Sequence, residues 1–182
     1  MLKVVGLSGS VAGSQTITTM REVEKEIGRT YGTEVNFKML DLRDYQLQAS
    51  DGRDFHEYDG DTYQVAITLA AADAIIVGTP IFQGSIPGAL KNVFDLLPED
   101  GFRGKVIGTV VNAGSPRFFL AAEYQLKPVL TAMKAEVISN CAFVEAREIY
   151  RTEIIEDATK HRIDKVARQT VALAQFLQQQ EL

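Results

Sequence analysis

Four apolar residues in a row, Ala74-Ile75-Ile76-Val77, constrain this chain more than any other stretch. A run so short and so rich in β-branched residues reads as a strand buried on both faces, so it demands cover above and below. Gly78-Thr79-Pro80 follows. Proline lacks an N–H and pushes its predecessor towards extended geometry, so the ladder is expected to end there. The loop Ile81-Phe82-Gln83-Gly84-Ser85-Ile86 then offers an aromatic ring, an amide, a hydroxyl and a glycine. Pro87 takes the first-turn position of a helix whose Ala89, Leu90, Val93, Phe94 and Leu97 share one apolar side. Open α/β sheets bind ligands outside the carboxyl ends of their strands, so this loop is the first candidate for chemistry.

The same alternation runs through the rest of the chain. Leu2 to Leu7 reads as a strand that feeds the small-residue loop Ser8-Gly9-Ser10-Val11-Ala12-Gly13-Ser14-Gln15-Thr16. Glycines let a backbone approach an anion closely, hydroxyls donate to it, and the N–H groups opening the next helix face it. The alternative is an ordinary βα turn capped by Ser14. The loop is neither a P-loop nor a dinucleotide fingerprint, since it lacks both the Gly-Lys-Ser/Thr ending and G-x-G-x-x-G. A helix over about Thr16 to Arg29 carries Met20, Val23 and Ile27 inward, and Val35 to Leu42 alternates like a strand near a sheet edge. Leu42 to Asp61 is the longest connection. Its Asp51, Asp54, Asp59 and Asp61 lack the spacing and turn glycine of a calcium loop, and His56 among them reads as exposed.

Thr62 to Ala72 is expected to be helical, and Lys105 to Val111 forms another buried strand that ends in a second loop, Asn112-Ala113-Gly114-Ser115-Pro116. One long helix is expected from Arg117 to Met133, then a strand or pair of strands within Glu136 to Val144, then an amphipathic helix over Glu156 to Leu177. His161 falls on the surface of that last helix, and Cys141 reads as a small buried hydrophobe in a strand. Five strands separated by helices fit one α/β domain over residues 1–182, a doubly wound five-stranded parallel sheet of order 2-1-3-4-5 with helices on both faces.

The lone cysteine excludes an internal disulfide, and a net charge of −5 without a long basic run argues against nucleic acid as a partner. The apolar run at the N-terminus breaks at Ser8, unlike a signal peptide, and no stretch is long enough to span a membrane. A cytoplasmic protein is expected.

In that strand order the loops after the first and third strands flank one crevice, with Asn112 to Ser115 beside them. An anion site, an aromatic loop and a turn rich in N–H groups together suit a phosphate at one end and a flat polar ring at the other, as in flavin mononucleotide (FMN). The Ser10 loop would take the phosphate and the Phe82 loop would lie along the ring. N–H groups near Gly114 and Ser115 would meet the ring carbonyls, where negative charge gathers on reduction. Nothing in this arrangement needs a catalytic acid or nucleophile.

These residues carry a resemblance. Leu7-Ser8-Gly9-Ser10, Gly78-Thr79-Pro80-Ile81-Phe82 with Gly88-Ala89-Leu90-Lys91 and Asp95-Leu96-Leu97-Pro98, and Ala113-Gly114-Ser115 with Leu126-Lys127-Pro128 are similar to the NADPH-dependent FMN reductases of the flavodoxin-like superfamily. The resemblance implies a flavodoxin-like fold, FMN, and NADPH or NADH as hydride donor. It implies cofactor-binding residues at Ser8, Ser10, Ser14, Gln15, Thr16, Pro80 to Ser85, Asn112, Ala113, Gly114, Ser115 and Tyr124. A homodimer or homotetramer is expected. Many relatives carry an arginine in the phosphate loop where this chain has Ala12, and a tyrosine where it has Phe82.

Tyr124 matches a tyrosine that, in the alkanesulfonate-system flavin reductases, sits in a helix bulge and accompanies release of reduced flavin to a partner monooxygenase. Its other reading is an aromatic packed between helices. If flavin is retained instead, the same scaffold implies a quinone, azo-dye or metal-oxyanion reductase. A non-enzymatic electron carrier is the remaining alternative.

Overall fold

The computed structural model describes residues 1–180. Five strands form one all-parallel sheet: β1 (Leu2–Ser8), β2 (Val35–Asp41), β3 (Ala74–Pro80), β4 (Val106–Ala113) and β5 (Glu136–Glu145), in the order β2-β1-β3-β4-β5. The expected order therefore holds. The helices are α1 (Gln15–Tyr31), α2 (Gly60–Ala70), α3 (Gly88–Asp95), α4 (Lys127–Ala132) and α5 (Asp157–Gln180). No helix among the described residues is long and apolar enough to cross a membrane.

Burial on both faces of the central strands divides the apolar side chains into two cores. Val4, Ile76, Val106 and Val110 pack with Met20, Val23 and Ile27 of α1 and Ile163, Val166 and Val171 of α5. Val5, Leu7, Ile75, Val77 and Ile107 pack with Val65 and Leu69 of α2, Leu90 and Val93 of α3, and Leu126 and Leu130 near α4. The first face is drawn tight where the sheet carries no side chain. A Cβ at Gly78 would lie 2.5 Å from Met20 Sδ, and one at Gly108 only 2.2 Å from Thr170 Oγ1. Helices α1 and α5 are also tied by charge, because the buried Glu26 of α1 accepts from Arg168 Nη1 of α5 at 3.1 Å, while Thr30 Oγ1 within α1 donates to it at 2.8 Å. Burial pushes the Glu26 carboxyl up, but the Arg29 and Thr30 hydrogen bonds and the two arginine charges outweigh it and leave it low.

Strand β3 runs past the apolar run and ends at the proline as expected: Gly78, Thr79 and Pro80 pair with Val110, Val111 and Asn112. The missing proline N–H falls at the last rung, and Ile81 N resumes the bonding to Asn112 O at 3.0 Å. Several elements depart from the sequence reading. Pro87 caps α3 in extended geometry, so the helix opens one residue later, at Gly88. A small hairpin, β6 (Ile149–Tyr150) with β7 (Glu153–Ile154), follows β5 and was not foreseen.

The long helix expected over Arg117 to Met133 is broken. A 3₁₀ turn over Pro116–Phe118 comes first, then a π-helical turn over Ala122–Leu126, and only the last six residues are α4. Pro128 supplies the reason, since it has no N–H to offer the carbonyl of Tyr124, four residues back. The preceding turn widens, and Lys127 N donates to Ala122 O, five residues back.

Candidate functional site

The loop after β1 gathers donors that have no partner in the fold. At its base, Gly9 N donates to Gly78 O at 2.7 Å, tying the ends of β1 and β3 together. Ser8 is fully buried and its hydroxyl has no partner. The buried Ser10 hydroxyl closes the turn on Ala12, donating to its carbonyl at 2.6 Å and accepting from its N–H at 3.3 Å. Gly13 has φ +73° and Ser14 φ −121°, and such alternation turns successive N–H groups towards one concavity. Ser14 occupies the N-cap position of α1, but its side chain makes no cap bond, so the ordinary-turn reading fails at that point. Among the described residues no acceptor takes the N–H of Gln15, Thr16 or Ile17, and Thr16 Oγ1 makes no hydrogen bond. These are the orphan donors of a helix start, at the positive end of its dipole.

The loop after β3 is a tight turn. Phe82 N donates to Ser85 O at 2.9 Å and Ser85 N to Phe82 O at 3.0 Å, with Gln83 at φ +51° and Gly84 at φ +80°. Gly84 takes that geometry freely, whereas Gln83 holds it as a side-chain-bearing residue in the left-handed region. The turn presents Phe82, Gln83 and Gly84 to solvent, with Pro80, Ile81 and Ser85 half-buried behind them.

Asn112 joins the third loop to the first. It is buried at the end of β4, and its Oδ1 lies 3.0 Å from the hydroxyl of Thr19, which also reaches Thr16 O at 2.8 Å. Asn112 Nδ2 is buried without a partner, a donor left over beside the loops. Ala113 is buried and Gly114 exposed, and no acceptor among the described residues takes the N–H of Gly114 or Ser115. The Ser115 hydroxyl is turned to the 3₁₀ segment, accepting from Arg117 N at 3.5 Å. The three loops thus meet, with free donors on two of them and an aromatic ring on the other.

Tyr124 makes no side-chain hydrogen bond among the described residues. It lies in the middle of the π turn and is 71% exposed, with Phe119 and Leu120 also exposed nearby. Its neighbour Gln125 accepts from Ser85 Oγ at 3.1 Å, which couples the π turn to the Phe82 loop. Two residues beside these loops were not singled out by the sequence reading: Thr19, and Arg43, whose Nη1 donates to Gly13 O at 3.1 Å. Thr19 follows Thr16 at i+3, a spacing that puts both on one helix side, whereas Arg43 carried no signal at all.

The remaining reactive side chains lie elsewhere. Burial pushes the half-buried Cys141 thiol up, against the direction a nucleophile needs. His56 is exposed but not alone, since its Nδ1 lies 2.7 Å from Asp54. Asp51 pairs with Arg53 and accepts from Tyr58 Oη at 2.8 Å, while Asp61 accepts from Gln46 N. Those acids serve the fold of their own loop.

Residues 2–148 match the family described as NADPH-dependent FMN reductase. A relative from Geobacillus thermodenitrificans (strain NG80-2), described as an NAD(P)H-dependent FAD/FMN reductase, is 36% identical over 171 residues, covering 93% of this chain and 92% of its own. The NADH-dependent FMN reductase SfnF of Pseudomonas putida is 27% identical and covers 91% of this chain and 89% of its own. Among solved structures, the apo form of an NADH:FMN oxidoreductase (EMOB) superposes with a TM-score of 0.81 at 23% identity, covering 93% of this chain and 88% of that one. That match bears on the fold. With the sequence matches beside it, the chain belongs to the NADPH-dependent FMN reductase family, and its reaction is hydride transfer from a reduced nicotinamide to FMN.

Proposed function

We propose that FMN lies across the three loops, its phosphate on the start of α1 and its ring along Phe82. The observation that carries this reading is the set of free N–H groups at Gln15, Thr16 and Ile17, preceded by the opposed φ values of Gly13 and Ser14. The flavin supplies the redox chemistry. The chain's own work is to bind and orient: the Ser10 turn and the α1 start hold the phosphate, and Pro80, Phe82 and Gln83 line one side of the ring. N–H groups of Gly114 and Ser115 donate at the ring's polar edge, where negative charge collects on reduction. Replacing both Ser10 and Thr16 with alanine should raise the Kd for FMN about 20-fold or more and that for riboflavin less than about 3-fold. Equal losses for the two ligands would remove the phosphate from this loop.

We further propose that the exposed Phe119, Leu120 and Tyr124 are covered by a second copy of the chain, in a homodimer or homotetramer, next to the flavin. So much apolar surface on one segment favours burial by a partner, and two-fold closure is its commonest form. Reduced FMN would then leave for a partner monooxygenase in the cytoplasm, the π turn moving with the Ser85–Gln125 contact. Tyr124→Ala should loosen the assembly in sedimentation, or leave FMN bound through gel filtration where the native protein sheds it. A native monomer would defeat the assembly. A variant unchanged in both measurements would make Tyr124 a surface residue of the π turn.

A further inference from the structure

The phosphate loop contains no cation of its own, yet one reaches it from the next strand. Arg43 lies in the 3₁₀ turn Leu42–Asp44 at the end of β2, and its Nη1 donates to the carbonyl of Gly13 at 3.1 Å. The rest of the guanidinium is committed to the buried Asp41, with Nε at 3.1 and 3.0 Å from the two carboxylate oxygens and Nη2 on the second of them. Asp41 also accepts from Arg43 N at 3.2 Å, so backbone and side chain are both held. The hydrogen bonds to Asp41 raise the arginine further above its ordinary value, so it stays charged and paired throughout the working range.

We infer that Arg43 is a positioning residue that sets the orientation of the Gly13–Ser14 peptide and thereby builds the phosphate receptor. The peptide is trans, so the Gly13 carbonyl and the Ser14 N–H, in one plane, point in opposite directions. With the carbonyl held on Arg43, the Ser14 N–H points away from it. That orientation goes with the opposed φ values at Gly13 and Ser14 and brings the N–H groups of residues 13 to 15 together. A flip of this one peptide turns a carbonyl oxygen towards the anion in place of an N–H. Gly13, whose Cβ position is empty space and whose φ is positive, would resist a flip little by itself. Because Asp41 balances the guanidinium charge, Arg43 acts through the direction of the peptide and not as a free counter-ion.

The inference rests on the phosphate assignment above, and the test separates the two. Kd values for FMN and for riboflavin are measured by flavin fluorescence quenching for the native protein, Arg43→Ala and Arg43→Lys, with melting temperatures alongside. Arg43→Ala should weaken FMN about 30-fold and riboflavin less than about 2-fold, a loss that persists between about 50 and 500 mM salt. Arg43→Lys keeps one donor for the Gly13 carbonyl and should recover part of the preference for FMN. If Arg43→Ala fails to fold, the lysine variant carries the test, and a native preference in a lysine variant that no longer orders the loop, judged by exchange of the Ser14 amide, overturns the inference. An alanine variant with the native preference overturns it too, as does a loss that vanishes at high salt, which marks direct charge contact. A native protein that binds FMN and riboflavin equally overturns the phosphate assignment, and the inference with it.

Discussion

Replacing Gly114 with valine should raise the Kd for FMN about 100-fold, roughly 2.7 kcal/mol, while the melting temperature stays within about 2 °C of the native value. Two observations separate binding from folding at this position. A Cβ built on Gly114 meets nothing within 4 Å, and its φ is outside the left-handed region, so the protein itself accommodates a side chain there. The residue is exposed between the buried Ala113 and the half-buried Ser115, and its N–H has no acceptor among the described residues. A branched side chain at that point obstructs whatever approaches the N–H closely, and in the proposed arrangement that is the flavin ring. Titration with FMN, paired with a thermal melt, reads both quantities. Native binding in the valine variant would take the Gly114 and Ser115 donors out of the site.

The opposite behaviour is expected at Gly108, where a side chain has nowhere to go. Its Cβ position is 2.2 Å from Thr170 Oγ1 and 3.0 Å from Val166 Cγ1, and Thr170 is fully buried with its hydroxyl bonded to Val166 O at 2.8 Å. The obstructing atoms belong to α5 where it crosses β4, so relief requires moving the helix or forcing rotamers across a packed core. Gly108→Val should cost about 3 kcal/mol, near the top of the range for overpacking, and lower the melting temperature by about 6–12 °C. Urea unfolding measures the first and calorimetry the second. Pairing Gly108→Ala with Thr170→Ala should recover stability relative to Gly108→Ala alone, because the second change removes the atom in conflict. Independent, additive effects would mean that α5 does not seat on Gly108 as described.

The order of elements was legible in the sequence because burial on both faces leaves a coarse mark. Ala74 to Val77 is an unbroken apolar run, Val106 to Val111 is one interrupted only by Gly108 and Thr109, both are buried strands in the fold, and the helices between them carry one apolar side. The alternation and the handedness of parallel crossovers pointed to a doubly wound sheet, and the order favoured for it, 2-1-3-4-5, is the one observed. The positions of the three loops followed as well, since each begins where a buried strand runs out. Their residue types suggested the chemistry now proposed for them, small donors for a phosphate and an aromatic loop for a ring.

Contacts between loops, and the outcome of local conflicts, were decided only in three dimensions. Pro128 announced trouble for the helix around it, but a proline is compatible with a kink, an early stop or a widened turn. The turn at Ala122–Leu126 widened while Ala122 and Leu126 stayed buried and Gln125 engaged Ser85. Asn112 and Thr19 stand 93 residues apart in the chain and Arg43 and Gly13 stand 30 apart. No periodicity records such pairs, because each residue's local pattern is satisfied with or without its distant partner. Local propensity and burial set what each segment becomes; which way the Gly13–Ser14 peptide faces depends on β2 lying beside β1 and bringing Arg43 within a hydrogen bond of it.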